Sequence, residues 1–174
     1  MSRSVASRPE RGLLPWYGLR VRSKHEQIAS TVLRFKGYEP FLPAYKMKRR
    51  WTDRIRETEL PLFPGYVFCR LDSANRLPVL TATGVVGIVG IGKTPQPIEE
   101  REMEAIRMVI NSGLAARPWP FIHQGDKVRV ERGPLLGVEG VVTSADDKER
   151  LVVSVSLLQR SIAVEMDHTW VSAQ

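Results

Sequence analysis

Leu62-Phe63-Pro64-Gly65-Tyr66-Val67-Phe68 places a rigid proline and a permissive glycine between two aromatics, then runs into strand-forming residues. Proline presets one backbone angle and glycine reaches the left-handed region without a Cβ penalty, so the stretch is a turn that feeds a strand. Its aromatics admit two readings. Both rings enter a core beneath an ordinary β-turn, or the turn holds a ring on the sheet surface at small entropic cost and makes an apolar pocket there.

Upstream, Trp16 to Val21 reads as a strand, and Ser23 followed by Glu26 has the capping-box spacing of a helix start. Ile28, Val32 and Phe35 recur at spacings of four and three, Leu33 widens that face, and Gly37 is placed to end the helix. Tyr38 to Tyr45, with Pro40 and Pro43, suits an edge strand. Downstream of Tyr66 to Leu71, Asn75 is expected to cap a short helix with Pro78 in its first turn and Gly84 at its end. Val85 to Ile91 is a further strand. Pro97 with Glu99, Glu100 and Glu102 starts a last helix carrying Met103, Ile106 and Ile110 on one face, closed by Gly113. The order β-α-β-β-α-β plus a final helix predicts an α+β domain in which an antiparallel sheet carries its helices on one face.

Arg117-Pro118-Trp119-Pro120 breaks the periodicity, and beyond it Asp126 to Glu131, Gly140 to Ser144, Leu151 to Leu157 and Ile162 to Met166 alternate as short strands. Strand and turn without helix predict a small all-β closed barrel. The expected organisation is a disordered basic lead-in over 1–13, a first domain over 14–114, a linker over 115–122 and the barrel over 123–174.

Charge divides at the same place. The chain carries 26 Lys and Arg against 19 Asp and Glu, net +7. Residues 1–116 hold 19 against 11, net +8, whereas 117–174 hold 7 against 8, net −1. Contact with an anionic partner therefore belongs to the first part. Cys69 is a single cysteine, which excludes a disulfide framework and a zinc site, and Met1 to Gly12 has no apolar h-region. Val85 to Gly92 is the longest apolar stretch and falls far short of the roughly 20 residues a spanning helix needs. These features predict a soluble, cytoplasmic monomer that does not engage a membrane.

Gly87-Ile88-Val89-Gly90-Ile91-Gly92-Lys93-Thr94 fits the phosphate-loop pattern letter for letter. Pro95 and Pro97 follow at once and deny it the N–H donors and the helix that would cradle phosphate. His25, His123 and His168 are isolated from metal-ligating partners, and Cys69 between Phe68 and Arg70 has no base beside it in sequence. No catalytic residue, metal or cofactor is expected, and the chain is not read as an enzyme.

Trp16-Tyr17 joined to Leu62-Phe63-Pro64-Gly65-Tyr66-Val67-Phe68 resembles the N-terminal domain of the NusG family of transcription elongation factors. Gly125-Asp126-Lys127-Val128-Arg129-Val130, Gly133-Pro134-Leu135 and Gly140-Val141-Val142 resemble that family's C-terminal KOW motif, an SH3-like barrel. The resemblance implies a non-catalytic elongation or antitermination factor. Its N-terminal domain would bind the clamp helices of the RNA polymerase β′ subunit and suppress pausing, with Phe63, Pro64, Tyr66, Arg20, Trp16 and Tyr17 as contact residues. Trp16 and Tyr17 read equally well as core.

Lys46, Lys48, Arg49, Arg50, Arg54 and Arg56 surround Trp51 with Asp53 as their only acid, and resemble the family's hairpin near DNA; a solvated charged turn is the other reading. Cations there would neutralise phosphates while the indole stacks on a base. Asn75 and Arg76 match the region facing the non-template DNA strand. The barrel turn that in this family docks Rho or a ribosomal protein usually carries an aromatic; here it is Leu157-Leu158-Gln159-Arg160, leaving Leu157, Leu158 and Arg160 as its contact residues. Glu59-Leu60-Pro61-Leu62-Phe63 resembles specialised antiterminator paralogues of the RfaH type. The alternative function, a ribosomal or RNA-binding KOW protein, needs positive charge on a barrel that is nearly neutral.

Overall fold

The computed structural model describes residues 14–122 and 125–172. The lead-in expected over 1–13, and His123, lie outside the described residues. The chain is mixed α and β with antiparallel sheets. Its first part runs β1 (Trp16–Val21), α1 (Glu26–Phe35), β2 (Glu39–Phe41), β3 (Ala44–Arg50), β4 (Ile55–Pro61) and β5 (Tyr66–Arg70). A 3-10 turn (Ser73–Asn75), α2 (Leu77–Leu80), β6 (Val85–Ile88), β7 (Gly90–Ile91), β8 (Thr94–Pro95) and α3 (Glu100–Ser112) follow. Strands β2, β5, β1 and β6 pair in that order, and β3–β4 and β7–β8 are separate hairpins.

The two-residue period of β1 and β5 gives the first sheet two apolar faces. Tyr17, Leu19, Val21, Val67 and Cys69 meet Ala29 and Leu33 of α1 and Val79 of α2. On the opposite face Trp16 and Phe68 cluster with Met103, Ile106 and Val109 of α3. The expectation of helices on one face is thus corrected: Trp16 and Phe68 make the second face too apolar to leave wet, and the stripe on α3 covers it.

Helix α1 also departs from its expected orientation. Ala29, Ser30 and Leu33 face the sheet, while Ile28 and Phe35 point outward. Small side chains at 29 and 30 allow a close approach that a Phe35-centred face would not. The capping box does not form: His25 occupies the cap position without a side-chain bond, and the Glu26 carboxylate instead accepts the Gly65 N–H at 3.0 Å. Asn75 is no cap either, because Asp72 accepts the Ala74 N–H at 3.0 Å and Arg76 precedes α2.

The second part contains β9 (Ala116–Trp119), β10 (Lys127–Arg129), β11 (Glu139–Ala145), β12 (Lys148–Val155) and β13 (Arg160–Glu165), paired β10-β11-β12-β13-β9. The stretch expected as a linker over 115–122 therefore supplies a strand. Pro118 is tolerated because β9 lies at the sheet edge, and the Trp119 ring is held by the guanidinium carbons of Arg117 and Arg150 at 5.1 and 5.3 Å. Among the described residues no ladder joins β10 to β9, but the Glu131 N–H donates to the Trp170 carbonyl at 2.8 Å. One apolar cluster runs from Trp16 and Phe68 through α3 to Leu151, Val153, Leu158 and Ile162.

Candidate interaction surface and basic hairpin

The Phe63 to Tyr66 segment closes as a turn: the Tyr66 N–H donates to the Phe63 carbonyl at 3.0 Å, and Gly65 has φ +84°. Phe63 is only 1% exposed and sits edge-on to Phe68 with ring centroids 5.2 Å apart. Its expected place in an exposed pocket is corrected to a place in the core, since a ring anchored on Phe68 removes more apolar area from water than one at the turn surface. Trp16 and Tyr17 are buried too, on opposite faces of the sheet. The Arg70 guanidinium lies 4.5 Å over the Trp16 ring and 2.6 Å from Glu100, tying β5 to the start of α3.

Three of the expected contact residues do reach the surface together. Arg20 and Tyr66 are opposed across β1 and β5, and exposed Pro64 lies in the turn just before Tyr66. The second sheet packs at this place. Leu158, expected on a free barrel turn, is 4% exposed and fits over Gly18, whose added Cβ would meet the Leu158 Cδ2 at 2.9 Å. The Arg160 guanidinium carbon stands 5.7 Å from the Tyr66 ring centroid. Glu102 on α3 accepts from the Ser156 N–H at 3.1 Å and from the Ser156 hydroxyl at 2.7 Å. Leu157 is half-buried beside them. Sequence reasoning missed Gly18, Glu102 and Ser156. A glycine inside a strand often marks a close approach, so Gly18 carried a usable signal.

The β3–β4 hairpin holds the basic cluster. Lys46, Lys48, Arg49, Arg50, Trp51 and Arg54 are all exposed. Register pairs Lys46 with Glu59 and Lys48 with Glu57, and Lys46 Nζ is 3.7 Å from Glu57, so these lysines are partly offset. Arg49 faces Arg56 directly, however, and the Arg56 guanidinium also lies 5.8 Å from the Trp51 ring. Like charges directly opposite repel, so the excess concentrates near the tip, where an anion would relieve it. Asn75 and Arg76 are exposed as well; Asn75 ends the 3-10 turn and Arg76 stands at the cap of α2.

Gly87 to Thr94 forms the end of β6 and the β7–β8 hairpin, and Gly92 turns it at φ +60°. No helix begins there to present N–H donors to phosphate. Cys69 is buried on the α1 face, and desolvation pushes its thiol up to about 12, far from a thiolate nucleophile at neutral pH. His25 Nδ1 is 3.0 Å from the Ser23 carbonyl, and exposed His168 lies 3.6 Å from Asp167. Among the described residues no His, Cys, Asp and Glu cluster could hold a metal ion, and no helix is long and apolar enough to cross a membrane.

The family profile described as transcription termination factor nusG matches residues 14–107, which include the turn, the hairpin and the first sheet. The chain belongs to the NusG family of transcription termination/antitermination proteins. It is 38% identical over 136 residues to the transcription termination/antitermination protein NusG of Buchnera aphidicola, covering 74% of each chain. To the Escherichia coli K12 protein of the same name it is 36% identical over 121 residues, 67% of each. A solved Thermotoga maritima NusG structure, described for its domain interaction, aligns with a TM-score of 0.55 over 94% of this chain and 98% of that one at 21% identity, a likeness of fold.

Proposed function

We propose that this chain is a non-catalytic transcription elongation and antitermination factor whose first sheet binds the RNA polymerase clamp helices at the surface of Arg20, Pro64 and Tyr66, with Phe63 and Trp16 as the core beneath it. The observation that carries this reading is the contact of Leu158 and Arg160 with Gly18 and Tyr66. The second sheet, read as a KOW barrel forming its own domain, lies on the surface the family resemblance assigns to polymerase, so the two must part before the clamp helices dock. Parting uncovers the seat of Leu158 over Gly18, where the apolar side chains of Val89 and Ile98 also converge, and such a seat suits an incoming helix pair. The hairpin tip then meets nucleic acid through Arg49, Arg50, Arg54 and Arg56, and the released turn at Leu157, Leu158 and Arg160 becomes free for a second partner. The lead-in Glu59-Leu60-Pro61-Leu62 supports the specialised antiterminator branch.

Capture by RNA polymerase core, with and without an isolated β′ clamp-helix fragment as competitor, tests this reading. Leu158→Asp should bind better than the unaltered chain, and the fragment should displace it. A folded Leu158→Asp protein that is not captured, or whose capture the fragment does not reduce, would overturn it.

A further inference from the structure

We infer that the outer face of α1 and α2 docks a protein segment that combines apolar side chains with carboxylates, as an acidic amphipathic helix does. Phe35 is 92% exposed and lies seven residues from Ile28, so both stand on one side of α1. Lys36, the next residue, donates from Nζ to the Pro78 carbonyl at 2.8 Å and to the Thr81 hydroxyl at 3.2 Å, which lays α2 beside the end of α1. Helix α2 turns Val79 into the core and leaves Leu77, 68% exposed, and Leu80 outward. Four large apolar side chains thus stand in water on adjacent helices. The fold does not need them there, because Ala29, Ser30 and Leu33 already anchor α1. Grouped exposure of this kind marks an interaction site more often than scattered single residues do.

The charge around this face identifies its partner. Exposed Arg22, Lys24 and Lys36 flank α1 in sequence, exposed Arg34 lies on it and exposed Arg76 stands at the cap of α2, and none of them forms a salt bridge among the described residues. Between Arg22 and Lys36 the only acid is Glu26, buried and bonded to Gly65, and no acid occurs from Ser73 to Ile98. Carboxylates on a partner would supply the opposite charge that these cations do not meet in a salt bridge among the described residues. Nucleic acid would answer the charge but set Ile28, Phe35, Leu77 and Leu80 against phosphate, so an acidic protein segment fits better. The face lies across the first sheet from Leu158 and Gly18 and is open whether or not the two sheets part.

Fluorescence anisotropy on the full chain tests this inference with three probes: a helical peptide of leucines at three- and four-residue spacing with glutamates between, the same peptide with lysines for glutamates, and a single-stranded oligodeoxynucleotide. The glutamate peptide should bind and weaken with salt, and Phe35→Ser and Leu77→Ser should each lower its affinity about tenfold or more with unchanged melting, as loss of an interface anchor does. Phe35→Ser is the decisive variant because so exposed a ring contributes little packing to lose. The inference fails if the lysine peptide binds as well, if Phe35→Ser leaves affinity intact, or if the oligonucleotide alone binds and loses affinity in that variant.

Discussion

Leu158 lies so close over Gly18 that a Cβ on the glycine would approach its Cδ2 to 2.9 Å. Gly18 is paired with Phe68 in the middle of the first sheet, so the one place where β1 lacks a side chain is where the second sheet comes down. Gly18→Val should keep β1 intact, since valine suits a strand, while displacing the leucine. Amide shifts in an NMR spectrum should move at Val155 to Arg160 and at Tyr66, and leave Leu33 and Cys69 unchanged. Unmoved resonances at Leu158 would show that it is not seated there in solution.

Phe63 and Pro64 are neighbours with opposite exposures, which makes them a controlled pair. Phe63→Ala should lose about 3–5 kcal/mol of stability, the usual cost of truncating a buried phenylalanine. Pro64→Ala should change it by about 1 kcal/mol or less. Chemical denaturation of both variants measures the difference. Equal midpoints would contradict the burial of Phe63.

Arg49 opposite Arg56 is a repulsion retained within the hairpin. Arg56→Ala should leave the melting temperature unchanged or slightly raised. Its affinity for single-stranded DNA should fall, and the slope of log affinity against log salt should shrink by about 0.7 for the charge removed. Lys46→Ala, whose partner Glu57 already offsets it, should lose less. An unaltered slope in Arg56→Ala would remove the tip from the nucleic-acid surface.

Cys69 supplies the pH prediction. Its thiol ionises near 9.0 in the unfolded chain and near 12 when buried, so the native state keeps its proton across the interval. The native state therefore gains nothing from this group below pH 9. As pH rises from 9 towards 12 the unfolded chain ionises first, and stability falls by up to about 1.4 kcal/mol per unit. Cys69→Ala should flatten that alkaline loss, measured as denaturation midpoints from pH 8 to 11. A thiol reagent should also label native protein far more slowly than unfolded protein at pH 8.

Strands Trp16–Val21 and Tyr66–Arg70 and the helix closed by Gly113 were legible because alternation, Pro-Gly turn chemistry and the Met103 and Ile106 spacing each act locally. The buried side of α1 was not legible. Ala29 and Ser30 carry little hydrophobic signal, and only the tight approach to Leu19 and Val67 favours them over Ile28 and Phe35. For the same reason the turn is legible in the sequence while the burial of Phe63 is not: turn geometry is local, but burial depends on Phe68 and on what covers the sheet. The six hairpin cations were visible as composition, whereas the Arg49 and Arg56 opposition appears only with the register. Arg117 to Pro120 looked like a break because Pro118 interrupts the pattern, and its place at a sheet edge depends on β13, more than 40 residues later in the chain.

Helix α3 ends at Ser112 and β9 begins at Ala116. The residues between them can span about 10–15 Å even when fully extended. The second sheet is therefore leashed at the end of α3, and the separation from Gly18 that the proposed function requires would pivot about that point. A leash so short keeps Leu158 at an effective concentration in the millimolar range or above near its seat. An outside ligand for that seat must outcompete a neighbour that is always within reach, so its apparent affinity is the intrinsic one scaled down by the fraction of time the seat stands open.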